Sequence, residues 1–160
     1  MSLILKRAPI RLCSTQLLPR SYTSASRFST TPTTLKAAME KISTTDAAPP
    51  AGPYTQAIKT TPYIYVSGQI PADKEGNLVK GSIAEQTTAS CESVKAILAA
   101  AGSSIDKVVK ATVFLTDMAN FAEMNGVYEK YFAHKPARSC IAVYQLPKGV
   151  PVEIEVIALS

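Results

Sequence analysis

Length, composition and charge limit what this sequence can encode. Its 160 residues suffice for one domain of ordinary size, and an apolar fraction of 46% with 18% charged residues excludes a wholly disordered chain. No window approaches the ~18–20 continuous apolar residues of a membrane-spanning helix, so the sequence predicts none. The net charge of +5 would favour a nucleic-acid-binding protein only if the folded part carried it.

The basic charge is concentrated in residues 1–39. Six of the 17 Lys and Arg residues lie there and no acid does, which leaves 11 bases against 12 acids, a net charge of −1, for residues 40–160. An Arg-bearing, Ser- and Thr-rich, acid-free N-terminus is typical of a mitochondrial transit peptide, while Lys6, Arg7, Pro9 and Arg11 interrupt the apolar run of a secretory signal. We predict a transit peptide and linker at 1–39, cleaved in the twenties or thirties, a single domain at 40–160, and a location in the mitochondrial matrix. A disordered basic tail is the alternative.

The first half of the domain is predicted to hold two strands and a helix. Residues 30–50 are rich in Thr, Ala and Pro and are predicted to lead into the fold without structure of their own. Aromatic and β-branched runs then indicate strands, and apolar residues at steps of three and four, followed by Gly102, indicate an amphipathic helix. The predicted elements are strands at 54–60 and 63–70, a turn at 73–77 and a helix at 82–101.

The second half of the domain is predicted to hold three strands and a second helix. A β-branched run predicts a buried strand, and a helical stripe capped by Asp117 and stopped by Pro136 predicts a second helix. A turn rich in Pro and Gly then separates two further strands. The predicted elements are strands at 108–116, 139–146 and 152–159, a helix at 118–134 and a turn at 147–149.

This order of elements predicts an α+β domain with a mixed sheet. Helices that follow strands require crossover connections, so part of the sheet must be parallel, whereas the last two strands, joined by a short turn, are expected to run antiparallel. Two helices cover only one face of such a sheet. We expect another copy of the chain to cover the other face.

Cysteine and histidine are too few for several kinds of site. With Cys13 in the leader, only Cys91, Cys140 and His134 remain in the domain, and no Gly-rich nucleotide pattern is present, so neither a metal nor a cofactor is predicted. His134, at a helix end, is expected to be solvated, so a Ser-His-Asp triad is not expected. Cys140 could be a nucleophile, but a small core residue is the more frequent role of such a cysteine.

Charged residues interrupt two of the predicted strands. Arg138 precedes the strand at 139–146, and Glu153 shares one face of the last strand with Glu155 because alternate side chains point the same way. They could form an inter-strand salt bridge or protect a sheet edge. They could instead be an anion-binding arginine and a carboxylate that orients water, which suits hydrolysis without a cofactor.

The expected strand geometry separates these two charges. In an antiparallel pair joined at 147–149, Arg138 lies far from the turn and Glu153 near it, about six residues of rise or roughly 20 Å apart. They could then serve one small ligand only if they came from different subunits.

Five segments in chain order resemble the signature segments of the RidA (YjgF) family. Together they span about residues 42–160, with the leader outside the match, as in mitochondrial members. The segments are Gly52-Pro53-Tyr54, Ser67-Gly68-Gln69-Ile70, Val113-Phe114-Leu115-Thr116-Asp117, Pro136-Ala137-Arg138-Ser139-Cys140, and Leu146-Pro147-Lys148 followed by Val152-Glu153-Ile154-Glu155.

The resemblance implies a chorismate-mutase-like α+β fold, a homotrimer with active sites between subunits, and 2-iminobutanoate/2-iminopropanoate deaminase activity without a cofactor. Such imines and enamines arise from pyridoxal-phosphate-dependent Thr or Ser dehydratases, and hydrolysis gives the 2-oxo acid and ammonia. Arg138 would clamp the substrate carboxylate and Glu153 would hold and polarise the water. The family pattern adds residues that line the cleft: Tyr54, Ser67, Gly68, Asn125 and Cys140, the last through its backbone N–H.

Two other functions remain as alternatives. Some family members resemble translation inhibitors with endoribonuclease activity, but a domain with a net charge of −1 lacks the basic face that phosphate contacts require, so no nucleic-acid partner is predicted. A chaperone-like scaffold with a vestigial cleft is the second alternative. No membrane partner is predicted.

Overall fold

The computed structural model describes residues 39–160. The predicted transit peptide and its cleavage site lie outside this part of the chain and stay predictions. Within residues 39–160, no helix has the length and apolar character required to cross a membrane.

The described part contains six strands, two α-helices and short 3-10 turns at 105–107, 118–120 and 147–149. All seven predicted strands and helices are present, although β2, α2 and β5 differ in their bounds from the prediction. One strand was missed. The elements are β1 (Glu40–Ile42), β2 (Ala57–Lys59), β3 (Tyr63–Gln69), α1 (Ile83–Ala100), β4 (Val108–Leu115), α2 (Phe121–Tyr131), β5 (Ala137–Ala142) and β6 (Val152–Leu159).

The prediction that the chain before residue 50 has no structure was wrong, because β1 lies there. β1 pairs antiparallel with β2, Ile42 opposite Ala57. The chain that follows β1 is fixed by the buried side chain of Gln56, which accepts from the Thr44 N–H at 2.7 Å and donates to the Ala48 carbonyl at 2.9 Å. A strand of three residues is too short to show a period, and its stability comes from these long-range contacts.

The six strands form one mixed sheet in the order β1-β2-β3-β6-β4-β5. Only β4 and β5 are parallel, and every other neighbouring pair is antiparallel. β5 and β6 run in opposite directions, as predicted, but they are not neighbours because β4 lies between them. The connection passes the end of β4, where Val143 N–H donates to the Leu115 carbonyl and Thr116 N–H to that of Pro151, at 2.8 and 3.1 Å.

Both helices pack on one face of the sheet, as predicted. The inward residues of β3, β4 and β6 are buried beneath them, with Val94, Ile97 and Leu98 of α1 and Met124 of α2 among the fully buried side chains. Tyr63, Tyr65 and Leu159 on the opposite face are exposed. We call this opposite face the open face.

Local signals fix the ends of α1. Ser82 Oγ accepts the N–H of Glu85 at 3.2 Å, and the Glu85 carboxylate accepts the Ser82 N–H at 2.8 Å, which is a capping box. Gly102 has a φ of +78° immediately after the C-cap, a conformation that glycine adopts without strain. Helix α1 therefore presents its apolar stripe to the sheet in a fixed register.

Candidate active site

The seven predicted site residues fall into two groups separated by the sheet. Paired residues on neighbouring strands share a face, and Arg138 is paired with the buried Ala111 whereas Glu153 is paired with Phe114 of the other face. The arginine half, on the helix side, contains Arg138, Asn125 and Cys140 with the rings of Phe121 and Tyr128. The glutamate half contains Glu153, Gly68, Ser67 and Tyr54.

The arginine half presents a guanidinium without an acidic partner. Arg138 Nη1 donates to Asn125 Oδ1 at 2.6 Å, and its Cζ lies 4.6 Å from the centre of the Tyr128 ring and 5.7 Å from that of Phe121. Within residues 39–160, no carboxylate lies within ion-pair distance of Arg138. Because a guanidinium carries five N–H donors in a planar fork, donors remain for a ligand carboxylate. A cavity of about 320 Å³ opens at this point.

Helix α2 holds this guanidinium in place. Phe121, Asn125 and Tyr128 are spaced by four and three residues, so they share one face of the helix. Tyr128 also stacks on Phe132 with ring centres 4.3 Å apart. Burial raises the pKa of Tyr128 to about 12, partly opposed by the charge of Arg138, so the phenol stays neutral. The sequence placed Phe121 and Tyr128 only in the apolar stripe, and their spacing from Asn125 was the signal that could have added them to the site.

Cys140 lies two residues beyond Arg138 on the same face of β5 and packs partly against the core. Burial raises the pKa of its thiol, although the nearby Arg138 charge acts in the opposite direction. A thiol held protonated is a poor nucleophile, which fits the expectation that Cys140 performs no covalent chemistry. His134 is exposed, as expected of a solvated residue, although its ring Nε2 also lies 2.9 Å from the Val108 carbonyl oxygen.

The glutamate half is built around a close approach of Glu153 to Gly68. A Cβ added to Gly68 would overlap Glu153 Oε1 and would lie 2.8 Å from its Cδ. Any other residue at position 68 would displace the carboxylate, so the glycine allows the Glu153 side chain its observed position. Burial, and then the negative charge of Glu155, raise the pKa of Glu153. A cavity of about 240 Å³ lies in front of the carboxylate.

A β-bulge positions Gly68. Val66 is opposite Val156, but the next paired residue, Gln69, is opposite Ile154, so β3 contains one more residue here than β6. The Ser67 N–H donates to the Gln56 carbonyl at 3.0 Å. Bulges of this kind redirect side chains next to functional sites.

The hydroxyl groups of the glutamate half are oriented by the backbone. Ser67 Oγ donates to the Thr55 carbonyl at 2.7 Å, so its lone pairs remain free to accept. Tyr54 Oη accepts the Ala51 N–H at 3.0 Å, which leaves its own proton free to donate. The cavity is thus lined by one acceptor and one donor beside the carboxylate of Glu153.

The two halves of one chain cannot meet. Arg138 and Glu153 are three residues of rise and two strand spacings apart, roughly 14 Å. This is less than the expected ~20 Å because the register of β5 and β6 on β4 offsets them by three residues of rise rather than six. The sheet itself lies between the two side chains. The alternative of an inter-strand salt bridge between them is therefore wrong.

The described residues also resemble known proteins. A family profile described as endoribonuclease L-PSP matches residues 44–160. A RutC family protein of Pyrococcus horikoshii is 52% identical over 121 residues, covering 74% of this chain and 96% of that protein. Mitochondrial protein Mmf1 of Saccharomyces cerevisiae is 51% identical over 120 residues, covering 74% and 83%. The crystal structure of yeast Mmf1 has a TM-score of 0.75 at 49% identity and covers 77% of this chain and 99% of that one.

A further similarity is to TdcF of Escherichia coli, which carries the provisional name of a reactive intermediate deaminase. It is 43% identical over 126 residues, covering 76% of this chain and 98% of that protein. A crystal structure of TdcF with bound serine has a TM-score of 0.73 at 39% identity, covering 76% and 98%. These similarities confirm the predicted fold, a single α+β domain with a mixed sheet and two helices on one face.

Proposed function

This chain belongs to the endoribonuclease L-PSP (YjgF/RidA) family, and on that premise we propose that it hydrolyses reactive 2-imino acids. Its relatives include a protein named as a reactive intermediate deaminase. The proposed substrates are 2-iminobutanoate, 2-iminopropanoate and their enamine forms, supplied by pyridoxal-phosphate-dependent dehydratases. The products are the 2-oxo acid and ammonia, and the reaction uses no cofactor.

The observation that carries this proposal is the arginine half. A half-buried guanidinium that lacks an ion-pair partner among residues 39–160 is suited to a carboxylate supplied by a ligand. Asn125 and the Tyr128 ring fix its orientation, so little side-chain entropy is lost when the carboxylate binds. A 2-imino acid has such a carboxylate next to its reactive carbon. Arg138 thereby sets the position of the C=N bond.

Glu153 supplies the base in this proposal. The substrate reacts as the protonated imine. The oxygen of a water held by Glu153 forms a bond to the imine carbon, the π electrons of C=N move to nitrogen to give an amine, and Glu153 takes the water proton. Glu153 then gives this proton to the amine nitrogen, the C–N bond breaks to release ammonia, and the hydroxyl proton passes to Glu153 and then to solvent, which leaves the 2-oxo acid. Its raised pKa, caused by burial and Glu155, makes the carboxylate a stronger base than an ordinary glutamate.

The active site forms between copies of the chain in this proposal, as a homotrimer. The two halves face opposite sides of one sheet, so a complete site needs the arginine half of one copy and the glutamate half of the next. The surface for such contacts includes the edge strand β5, whose Ile141 is exposed, and the fully exposed Tyr144 that follows it. Tyr63, Tyr65 and Leu159 add apolar surface on the open face.

We also propose that the protein is located in the mitochondrial matrix. The yeast relative is named as mitochondrial, and residues 1–39 of this chain carry six basic residues and no acid. A fusion of residues 1–39 to a fluorescent protein is expected to enter mitochondria, and a fusion of residues 40–160 is not. Equal distribution of the two fusions would contradict this assignment.

The activity is tested by coupling the protein to a threonine dehydratase that generates the imine in the assay. We expect accelerated ammonia release with the wild type, none above background with Arg138→Ala, and a strong reduction with Glu153→Gln. Lys95→Ala, a change at an exposed ion pair on α1, is the matched control and should retain full activity. Wild-type rates in both site variants would refute the proposal.

The same variants separate the two alternatives. An endoribonuclease would cleave RNA, and an unchanged cleavage rate in Arg138→Ala would assign that activity to another surface. A scaffold would require neither side chain. Loss of imine hydrolysis in Arg138→Ala with the oligomer intact by light scattering would exclude the scaffold as the sole function.

A further inference from the structure

A buried amide occupies a core position next to the bulge. Ile64 and Val66 of β3 face the helices, and Gln69 continues this buried face beyond the bulge, opposite the fully buried Ile154, with 5% of its surface exposed. Burying an amide is unfavourable unless its polar atoms find hydrogen-bond partners. An apolar residue is therefore usual at such a buried position, and the amide of Gln69 is expected to have a specific role.

The Gln69 side chain binds the two carbonyls of the bulge. Its Nε2 donates to the Ser67 carbonyl at 2.9 Å and to the Gly68 carbonyl at 3.3 Å. A bulge interrupts the regular pairing of its strand, and buried backbone carbonyls need partners. Each peptide unit is planar, so fixing these carbonyls also fixes the direction of the following N–H groups and the position of the Gly68 Cα.

The position of the Gly68 Cα determines where Glu153 can lie. The carboxylate fills the space that a Cβ of residue 68 would need, so a small rotation of the bulge would press the backbone against Glu153 or open a gap beside it. We propose that Gln69 is a positioning residue that acts through the Ser67-Gly68 bulge to hold the Glu153 carboxylate in place to activate water. This inference rests on the proposed function of Glu153, and Gln69 itself does not contact the cavity in front of that carboxylate.

The test compares kcat with KM in Gln69→Met, which keeps the side-chain volume and removes the amide. Because Arg138 and its contacts lie on the other half, we expect KM to change by less than about twofold while kcat falls on the order of tenfold to a hundredfold. Gln69→Asn, whose shorter amide cannot reach both carbonyls, should show the same division. It provides a second test should Gln69→Met fold poorly.

Ile97→Val is the control for a loss of stability alone. Ile97 lies in α1, is fully buried in the core and belongs to neither half of the site. We expect the thermal unfolding midpoint to fall in both Gln69→Met and Ile97→Val, but kcat, per folded protein, to be undiminished in Ile97→Val. Equal losses of kcat in the two variants would show that Gln69 contributes only stability and would overturn the inference.

A double-mutant cycle with Glu153→Gln distinguishes the two proposals. If Gln69 acts through Glu153, then Gln69→Met has no further effect on the residual rate of Glu153→Gln. Additive losses in the double variant would overturn the positioning role while leaving the function of Glu153 intact. A wild-type rate in Glu153→Gln itself would instead refute the proposed function.

Discussion

The arginine half and the glutamate half are built in different ways. Arg138 is held by side chains of a regular helix, through a hydrogen bond to Asn125 and the ring of Tyr128. Glu153 is held by the backbone instead. The bulge in β3 places Gly68, which has no Cβ, directly against the Glu153 carboxylate. The arginine half should therefore tolerate changes that preserve ring shape, whereas the glutamate half should tolerate almost no added atom.

The largest expected effect is the restoration of activity when two variants, each damaged in a different half of the site, are mixed. Arg138→Ala and Glu153→Gln each damage every site of a uniform oligomer, but a mixed oligomer contains sites with an intact arginine half from one copy and an intact glutamate half from its neighbour. Random assembly of equal amounts should restore about a quarter of the wild-type activity in a cyclic oligomer.

The mixing experiment uses co-refolded variants, with each variant refolded alone as the control. The measurement is ammonia release per total protein in the coupled assay. No gain on mixing would show that a complete site forms within one chain, or that the two halves do not act together.

The next largest effect is expected from one added methyl group in the glutamate half. Gly68→Ala places a Cβ where the Glu153 carboxylate lies, so kcat should fall on the order of a hundredfold. The matched control is Gly126→Ala in α2, where a Cβ meets no atom within 4 Å.

The control variant should also be more stable than the wild type. Alanine is favoured over glycine within a helix by roughly 0.5–1 kcal/mol, so Gly126→Ala should raise the free energy of unfolding by about that amount and leave kcat unchanged. Chemical denaturation and the coupled assay measure the two quantities. Similar kcat losses in both glycine variants would contradict the close-approach account of Gly68.

The contrast between a regular helix in the arginine half and a bulge in the glutamate half also explains which parts of the site could be predicted from the sequence. Helix α2 has a strong helical period and strand β4 a run of β-branched residues, so the elements that carry Asn125 and the core beneath the helices were predictable. The bulge has no such signal. The alternation of inward and outward side chains along β3 fits the sequence equally well with or without one extra residue between Val66 and Gln69. Gly68, Ser67 and Tyr54 were expected to belong to the site only through the family resemblance.

The order of the strands in the sheet could not be predicted from local sequence patterns either. A short connection after β5 favoured a hairpin with β6, yet β4 lies between them. β4 pairs with both strands and buries Ala111, Val113 and Leu115, and this gain depends on residues distant in the chain. The register of β5 and β6 on β4 offsets Arg138 and Glu153 by three residues, whereas a direct hairpin implied six, so the sequence alone overestimated their separation.

A smaller effect is expected on the pH dependence of the glutamate half. Burial and the charge of Glu155 raise the pKa of Glu153, so kcat/KM should fall as the pH drops through that raised pKa and the carboxylate becomes protonated. Glu155→Gln removes the repelling charge, lowers the pKa of Glu153 and should move the acidic limb to lower pH. Glu75→Gln, in an exposed turn, is the control for the loss of one negative charge. An acidic limb that is identical in the wild type and Glu155→Gln would contradict this electrostatic account.

The smallest effect is expected where the arginine half loses an atom that makes no hydrogen bond within residues 39–160. The Tyr128 hydroxyl is buried without a hydrogen-bond partner within residues 39–160, whereas its ring lies 4.6 Å from the Arg138 guanidinium. Tyr128→Phe keeps the ring and removes the unpaired group, so KM should stay within about twofold and stability should rise by about 1 kcal/mol. Tyr128→Leu removes the ring and should raise KM severalfold, because the guanidinium of Arg138 then keeps only its contacts with Asn125 and Phe121. A Tyr128→Phe variant as impaired as Tyr128→Leu would mean that the hydroxyl, rather than the ring, orients the guanidinium.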